Sequence, residues 1–308
     1  MTGPGRAMSP EGSALCGILL LDKPLGLSSN AALQRVRQLL GRPKAGHTGS
    51  LDPLATGMLP ICIGEATKLA GDLLAGAKAY TVQMRLGERT DTGDAEGAIV
   101  ERLPVPALDR PLIEAALASQ RGDQQQVPPM YSALKRAGEP LYRLARRGVT
   151  VERAPRSIRI GVLELLDWTA TTLRLRVECS KGTYIRTLVE QVAGQLGSCA
   201  HVVALRRDFV EPFQHEPMVT LEALQRASGA PRLLAADLAV GHLPALHLSA
   251  AQARALTQGR RIPVPGVAQG RLRLYDAAGA FIGLGVGEDE AQGGASGTVR
   301  VQRLFASV

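Results

Sequence analysis

Three short stretches of the 308-residue chain bring together residue types that can do chemistry. The first is Gly46-His47-Thr48-Gly49-Ser50-Leu51-Asp52-Pro53-Leu54-Ala55-Thr56-Gly57, which sets one carboxylate in a glycine-rich loop. Its glycines permit backbone conformations closed to residues with a Cβ, and Pro53 biases Asp52 toward an extended backbone that fixes where its carboxylate points. Such a carboxylate suits general-base or nucleophilic chemistry, although Asp-Pro is also a common turn pair. The second stretch, Cys179 to Arg186, ends a strand, turns at Gly182 and delivers Tyr184 and Arg186 to a helix start. Arg186 suits pairing with a carboxylate, a phosphate contact or an ordinary surface ion pair. The third, Lys78-Ala79-Tyr80-Thr81, opens an amphipathic strand, where Tyr80 is either core filler or a stacking surface for a base.

Metal and disulfide chemistry are poorly served. Cys16, Cys62, Cys179 and Cys199 form no CxxC pair, and the five histidines supply no HExxH pattern. The acidic run Asp91 to Glu96 lacks the twelve-residue pattern of a calcium loop, and its Asp91-Thr92-Gly93 has no second copy to make an aspartic-protease pair. The glycine-rich loop also lacks the GxxxxGK[ST] phosphate-binding pattern.

The elements that must position these groups follow from periodicity and punctuation. Gly17 to Leu21 reads as an apolar strand, and Ser28 or Ser29 caps a helix running to about Leu40. A loop runs from Gly41 to Gly57, then a β-rich run over Met58 to Ile63 and a short helix from Glu65 to about Leu74. Tyr80 to Leu86 alternates as a strand, and Pro111 suits the first turn of a helix reaching about Gln120. Gln124 to Val151 reads as an insertion with a short basic helix near Leu141 to Arg147. Strands at Ser157 to Leu166 and Thr172 to Cys179, a helix from about Tyr184 to Leu196 and a strand near His201 to Asp208 complete this part. A helix over Leu221 to Ala227 leads to Pro231 to Pro244, which reads as a linker, and the last ~60 residues as a small β-rich module. Met1 to Ser13 has no apolar signal-peptide region, and no apolar run reaches the ~18–20 residues of a membrane helix, so the chain reads as cytoplasmic with a loose N-terminal tail.

The net charge of +8 is unevenly spread. Tyr131 to Ile160 holds eight basic residues against Glu139 and Glu152, and Ala251 to Tyr275 holds Arg254, Arg260, Arg261, Arg271 and Arg273 with no acid. Either run alone is as easily a solvated helix face as a binding surface. Two in separate regions fit a long polyanion better than a small anionic metabolite.

Several of these stretches occur together in a known order. Gly17 to Pro24, Gly46 to Gly57, Lys78-Ala79-Tyr80, Thr90 to Asp94, Val127 to Ala133, Lys181 to Arg186 and His201 to Arg207 together resemble the bacterial tRNA pseudouridine synthase B (TruB) family. The resemblance is strong over Gly17 to Phe213 and weaker beyond. It implies an α+β pseudouridine-synthase fold, with a mixed, mainly antiparallel sheet flanked by helices. It divides the chain into a tail over 1–14, a catalytic domain over 15–240 with an RNA-gripping insertion at about 124–151, and a PUA-like RNA-binding domain over 243–308.

By the same resemblance the activity is isomerisation of the TΨC-loop uridine of tRNA, position 55, with base flipping and with neither cofactor nor metal. Asp52 is then the catalytic aspartate, as nucleophile or as base toward the ribose, and Arg186 its partner. Tyr80 stacks on the flipped uracil, while Tyr184 and Leu205 form pocket walls. His47 contacts the RNA loop, Lys23 lies near the pocket as a structural or phosphate-facing group, and Asp94 supports the pocket through hydrogen bonds. The implied partner is tRNA, held along its TΨC arm and acceptor side by a monomer. The alternative is a tRNA-gripping chaperone without chemistry, against which the intact Asp52, Tyr80 and Arg186 set argues.

Overall fold

In the computed structural model, residues 15–227, 229, 231–288 and 297–305 are described. The tail expected over 1–14 lies outside them. The chain opens with β1 (Gly17–Lys23), α1 (Ser29–Leu39), β2 (Ala45–His47) and β3 (Ala55–Ile63), followed by a 3₁₀ segment and α2 (Ala70–Ala75). Next come β4 (Lys78–Leu86), the hairpin β5 (Glu88–Thr90) and β6 (Ile99–Arg102), then α3 (Arg110–Ala118) and β7 (Gly122–Gln126). A small hairpin, β8 (Lys135–Arg136) and β9 (Glu139–Pro140), precedes α4 (Leu141–Arg146), β10 (Arg156–Trp168), β11 (Thr172–Cys179), α5 (Ile185–Gln195), β12 (Ala200–Val210) and α6 (Leu221–Arg226). The last part holds β13 (Ala245–His247), α7 (Ala250–Thr257), β14 (Ile262–Pro263), β15 (Gly270–Tyr275), β16 (Phe281–Glu288) and β17 (Thr298–Leu304).

An eight-stranded sheet in the order β1-β3-β12-β4-β11-β10-β7, with β2 joined to β3, carries the whole site. Only the β3–β12 pairing is parallel, so the sheet is mixed and mainly antiparallel, and helices pack on it in an α+β fold. Its largest core cluster lies where Val82, Met84, Leu175 and Val177 meet α3 and α5. The apolar face of α5 follows helical spacing through Ile185, Leu188, Val189 and Val192, which leaves Arg186 beside that face at the first turn. β1 is buried on both sides: Ile18 and Leu20 enter one cluster, Leu19 and Leu21 another, which explains its unbroken apolar run.

Three expectations change. β3 begins at Ala55 rather than Met58, because Gly57 adopts φ 96° and lets the chain pair with β12. Gln124 to Gln126 lie in β7, the edge strand beside β10, so the first three residues of the supposed insertion belong to the main sheet. The Pro231 to Pro244 stretch is no free linker. Leu234 bridges to Ile18, and Ala239 and Val240 are buried with Phe213 and Leu284. Apolar residues spaced among prolines and alanines look like a connector in sequence, yet here they close a cluster shared with β16.

Candidate active site

Asp52 stands between β2 and β3, in a loop held from several sides. Ser28 caps α1 by accepting from the Ala31 N–H, which frees the adjacent Ser29 for another task. Ser29 Oγ accepts from the Leu51 N–H at 2.7 Å and donates to the Leu51 carbonyl at 3.0 Å, tying the residue before Asp52 to the helix. Lys23 is fully buried and donates to the carbonyls of Pro24 (2.9 Å), Leu27 (2.6 Å) and Pro53 (3.5 Å). Burial lowers its pKa to about 8, against the pull of Asp52 and Glu96. Lys23 therefore ties together backbone on both sides of α1 and next to Asp52, with no exposed surface of its own.

Arg186 Nε lies 3.1 Å from Asp52 Oδ2, and its Nη1 3.7 Å from Asp94 Oδ2. The same guanidinium donates to the Thr92 carbonyl (2.5 Å) and the Tyr131 carbonyl (2.6 Å). Asp94 is itself buried, accepting from Thr92 Oγ1 at 2.6 Å and the Glu96 N–H at 3.1 Å. The buried fork thus gathers three separate segments around one half-exposed carboxylate. Burial raises the Asp52 pKa, Arg186 opposes that rise, and the Asp94 charge adds to it.

These groups face a cavity of about 770 Å³, whose walls include His47, Asp52, Asp94, Tyr131, Tyr142 and Arg186. That size falls within the range of ligand clefts. His47 has its pKa lowered by burial and by Arg207, and its Nδ1 has no hydrogen-bond partner among the described residues. Part of the 124–151 segment roofs the cavity through Tyr131, Ser132, Ala133, Tyr142 and Arg146.

Tyr80 and Leu205 lie one layer deeper, packed with Leu51 in the main core cluster, and neither is among the cavity-lining residues. The half-buried Tyr184 is likewise not among the cavity-lining residues. The Asp52 charge still reaches both phenols, adding to the upward pKa shift that burial imposes on Tyr80 and Tyr184. Tyr184 precedes α5, and its backbone is gripped by the buried Gln126, whose Oε1 accepts from the Tyr184 N–H (2.8 Å) while Nε2 donates to the Tyr184 carbonyl (3.2 Å).

Gln126 and Arg207 carry no role in the sequence reading, and Ser29 only that of an alternative helix cap, which Ser28 fills. All three are buried polar side chains whose partners are backbone groups far away in the chain. The only signals were a glutamine run beside a strand, a second serine at a helix start and an arginine within a closing motif. The arginines of the last module are also less free than their stretch implies. Arg271 pairs with Asp72 (2.6 Å) and Arg261 with Glu288 (3.2 Å), while Arg273 donates to the Leu243 carbonyl and Tyr275 Oη. Of the five arginines of the 251–275 stretch, Arg254 and Arg260 are exposed and form no ion pair among the described residues.

A structure described as a Cbf5-Nop10-Gar1 complex matches this chain with a TM-score of 0.71 and 25% identity, covering 99% of this chain and 91% of that one. The fold is that of a pseudouridine synthase. A model described as TruB family pseudouridylate synthase (N terminal domain) matches residues 37–185, and two TruB C-terminal models match 186–236 and 244–305. The tRNA pseudouridine synthase B of Stutzerimonas stutzeri is 53% identical over 300 residues, 94% of this chain and 96% of that protein. Its counterpart from Chromohalobacter salexigens is 52% identical over 280 residues, 89% of this chain and 91% of that protein. The chain belongs to the TruB family of pseudouridine synthases, and is an isomerase.

Proposed function

We propose that the enzyme converts uridine 55, in the TΨC loop of tRNA, to pseudouridine. The observation that carries this reading is the Asp52 carboxylate, paired at 3.1 Å with a buried arginine on the floor of a nucleoside-sized cavity. In the reaction the N1–C1′ bond breaks, the uracil turns, and a C5–C1′ bond forms; C5 loses a proton and N1 gains one. Atoms and electrons balance within the substrate. A carboxylate contributes either by adding to the ribose or by removing a ribose proton, and both routes require it charged. Arg186 works toward that condition, against the burial that favours the neutral acid.

A uridine in a folded loop must leave its stack to reach Asp52, at a cost of a few kcal/mol. Once it is extruded past the Asp52 loop, Tyr80 and Leu205 form the next layer, and Tyr184 closes the side nearest α5. His47, neutral and on the cavity wall, meets the RNA loop. The segment over 124–151 grips the TΨC arm across the cavity, and the β-rich end, 243–308, acts as a PUA-like domain toward the acceptor side. The enzyme works as a monomer in the cytoplasm. The test is tritium release from tRNA transcripts carrying 5-tritiated uridine. Release from the wild-type sequence, and none when position 55 is cytidine, is expected; equal release from both would contradict the assignment of the target.

A further inference from the structure

We propose that Arg207 is a positioning residue that holds both ends of the Asp52 loop and thereby sets the rate of the chemical step, not the strength of RNA binding. This rests on Asp52 being the catalytic carboxylate.

Arg207 is 1% exposed and heads the largest fully buried side chains of the protein. It makes no ion pair among the described residues. Its Nε donates to the Met58 carbonyl at 2.7 Å and its Nη2 to the Gly49 carbonyl at 2.9 Å. Burying a guanidinium without a carboxylate is costly, so the geometry it enforces is a reasonable place to look for its use. Gly49 lies at the near end of the loop that carries Asp52, and Met58 lies in β3, just beyond its far end. The far end is held by the backbone as well: Arg207 pairs with Gly57 in the parallel β3–β12 register. The approach is so close that a Cβ on Gly57 would fall 2.2 Å from the Arg207 carbonyl oxygen. At the near end Gly49 adopts φ 72°, and a Cβ there would lie 3.2 Å from Arg207 Nη1. One residue therefore closes the nine-residue span from Gly49 to Gly57, through its side chain at one end and its backbone at the other.

Arg207 also stands opposite Tyr80 in the β4–β12 register, and its charge acts on that phenol, on His47 and on Lys23. Lysine keeps the charge but presents a point donor, which cannot span the Met58 and Gly49 carbonyls as a planar fork does. Displacing a reacting group by about 1 Å costs about 100-fold in rate, so loss of the brace appears in chemistry first. The 131–146 segment and the β-rich end, to which the RNA grip is assigned above, receive no hydrogen bond from the Arg207 side chain among the described residues.

The test measures single-turnover tritium release and tRNA Kd, with thermal melts, for Arg207→Lys, Arg207→Met and Gly49→Ala, beside Asp52→Asn. The release rate is expected to fall about 10-fold or more in R207K and about 100-fold or more in R207M, with Kd within about threefold of wild type. G49A keeps the arginine but crowds its Nη1, and should lose about 10-fold in rate at unchanged Kd. Rates within about threefold of wild type, or Kd lost in step with rate, would overturn the proposal. Should R207M fail to fold, R207K and G49A decide by the same thresholds. Persisting release in D52N would remove the aspartate reading itself, whereas a silent D52N beside active R207 variants removes only the brace.

Discussion

Replacing Arg186 by Gln separates an electrostatic role from a merely architectural one. Its guanidinium lies 3.1 Å from Asp52 Oδ2, where Coulomb attraction is about 5 kcal/mol at an effective dielectric of about 20. The Asp52 side chain is 45% exposed, so solvent screening leaves about 1–3 kcal/mol of that. Burial and Asp94 already push the Asp52 carboxyl upward, and Arg186 is the main opposing influence. Without it the acid is held more firmly in its protonated form, and the acid limb of the pH–rate profile moves to higher pH. A loss of 1–3 kcal/mol is roughly 5- to 150-fold in rate on the acid side. Single-turnover tritium release measured across the pH range, with circular dichroism to verify folding, reads this directly. The deficit of R186Q should be greatest at low pH and shrink as pH rises. A deficit of equal size at every pH, or none at all, would refute the claim that Arg186 acts through the charge of Asp52.

Three further outcomes follow from the same geometry. Because burial raises the Asp52 pKa, the folded state prefers the neutral carboxyl, so Asp52→Asn should be as stable as wild type or more so at pH 7, by up to about 1 kcal/mol after screening. That difference should fade as pH falls through the unfolded value of 3.8, and a D52N protein markedly less stable at pH 7 would contradict it. Gln126→Ala leaves the Tyr184 N–H without its acceptor and should cost about 1–3 kcal/mol, read as a lower denaturation midpoint; an unchanged midpoint would mean the amide finds another partner. Replacing the exposed Arg254 and Arg260 by Ser should weaken tRNA binding and reduce the slope of log K against log salt by about 2, whereas Arg261→Ser, whose charge is engaged by Glu288, should change it less.

The candidate site groups are legible in sequence because their types and order form a set of short motifs, with Asp52, Tyr80 and Arg186 on three of them. Elements with strong periodicity, such as β4 and α5, were legible for the same local reason. What stayed hidden was long-range. A buried serine, glutamine or arginine looks like a surface residue until the backbone it bonds is known, and Ser29, Gln126 and Arg207 bond residues 22, 58 and 158 positions away. The arginine-rich stretch near the C-terminus seemed unopposed because Asp72, which takes up Arg271, lies 199 residues away. The depth of Tyr80 was equally invisible, since periodicity places it on a face of β4 without saying that this face is buried in the main core cluster. The connector after α6 was misjudged because composition alone does not tell a packed strap from a loose one.

Asp52 is proposed above as the one carboxylate that performs the isomerisation. The most direct measurement is single-turnover release of tritium from tRNA labelled at C5 of uridine 55, comparing wild type with Asp52→Asn at saturating enzyme, alongside tRNA Kd. Wild type should release its tritium, and D52N should release none while binding tRNA within a few-fold of wild type. Release by D52N at a rate near that of wild type would contradict the assignment.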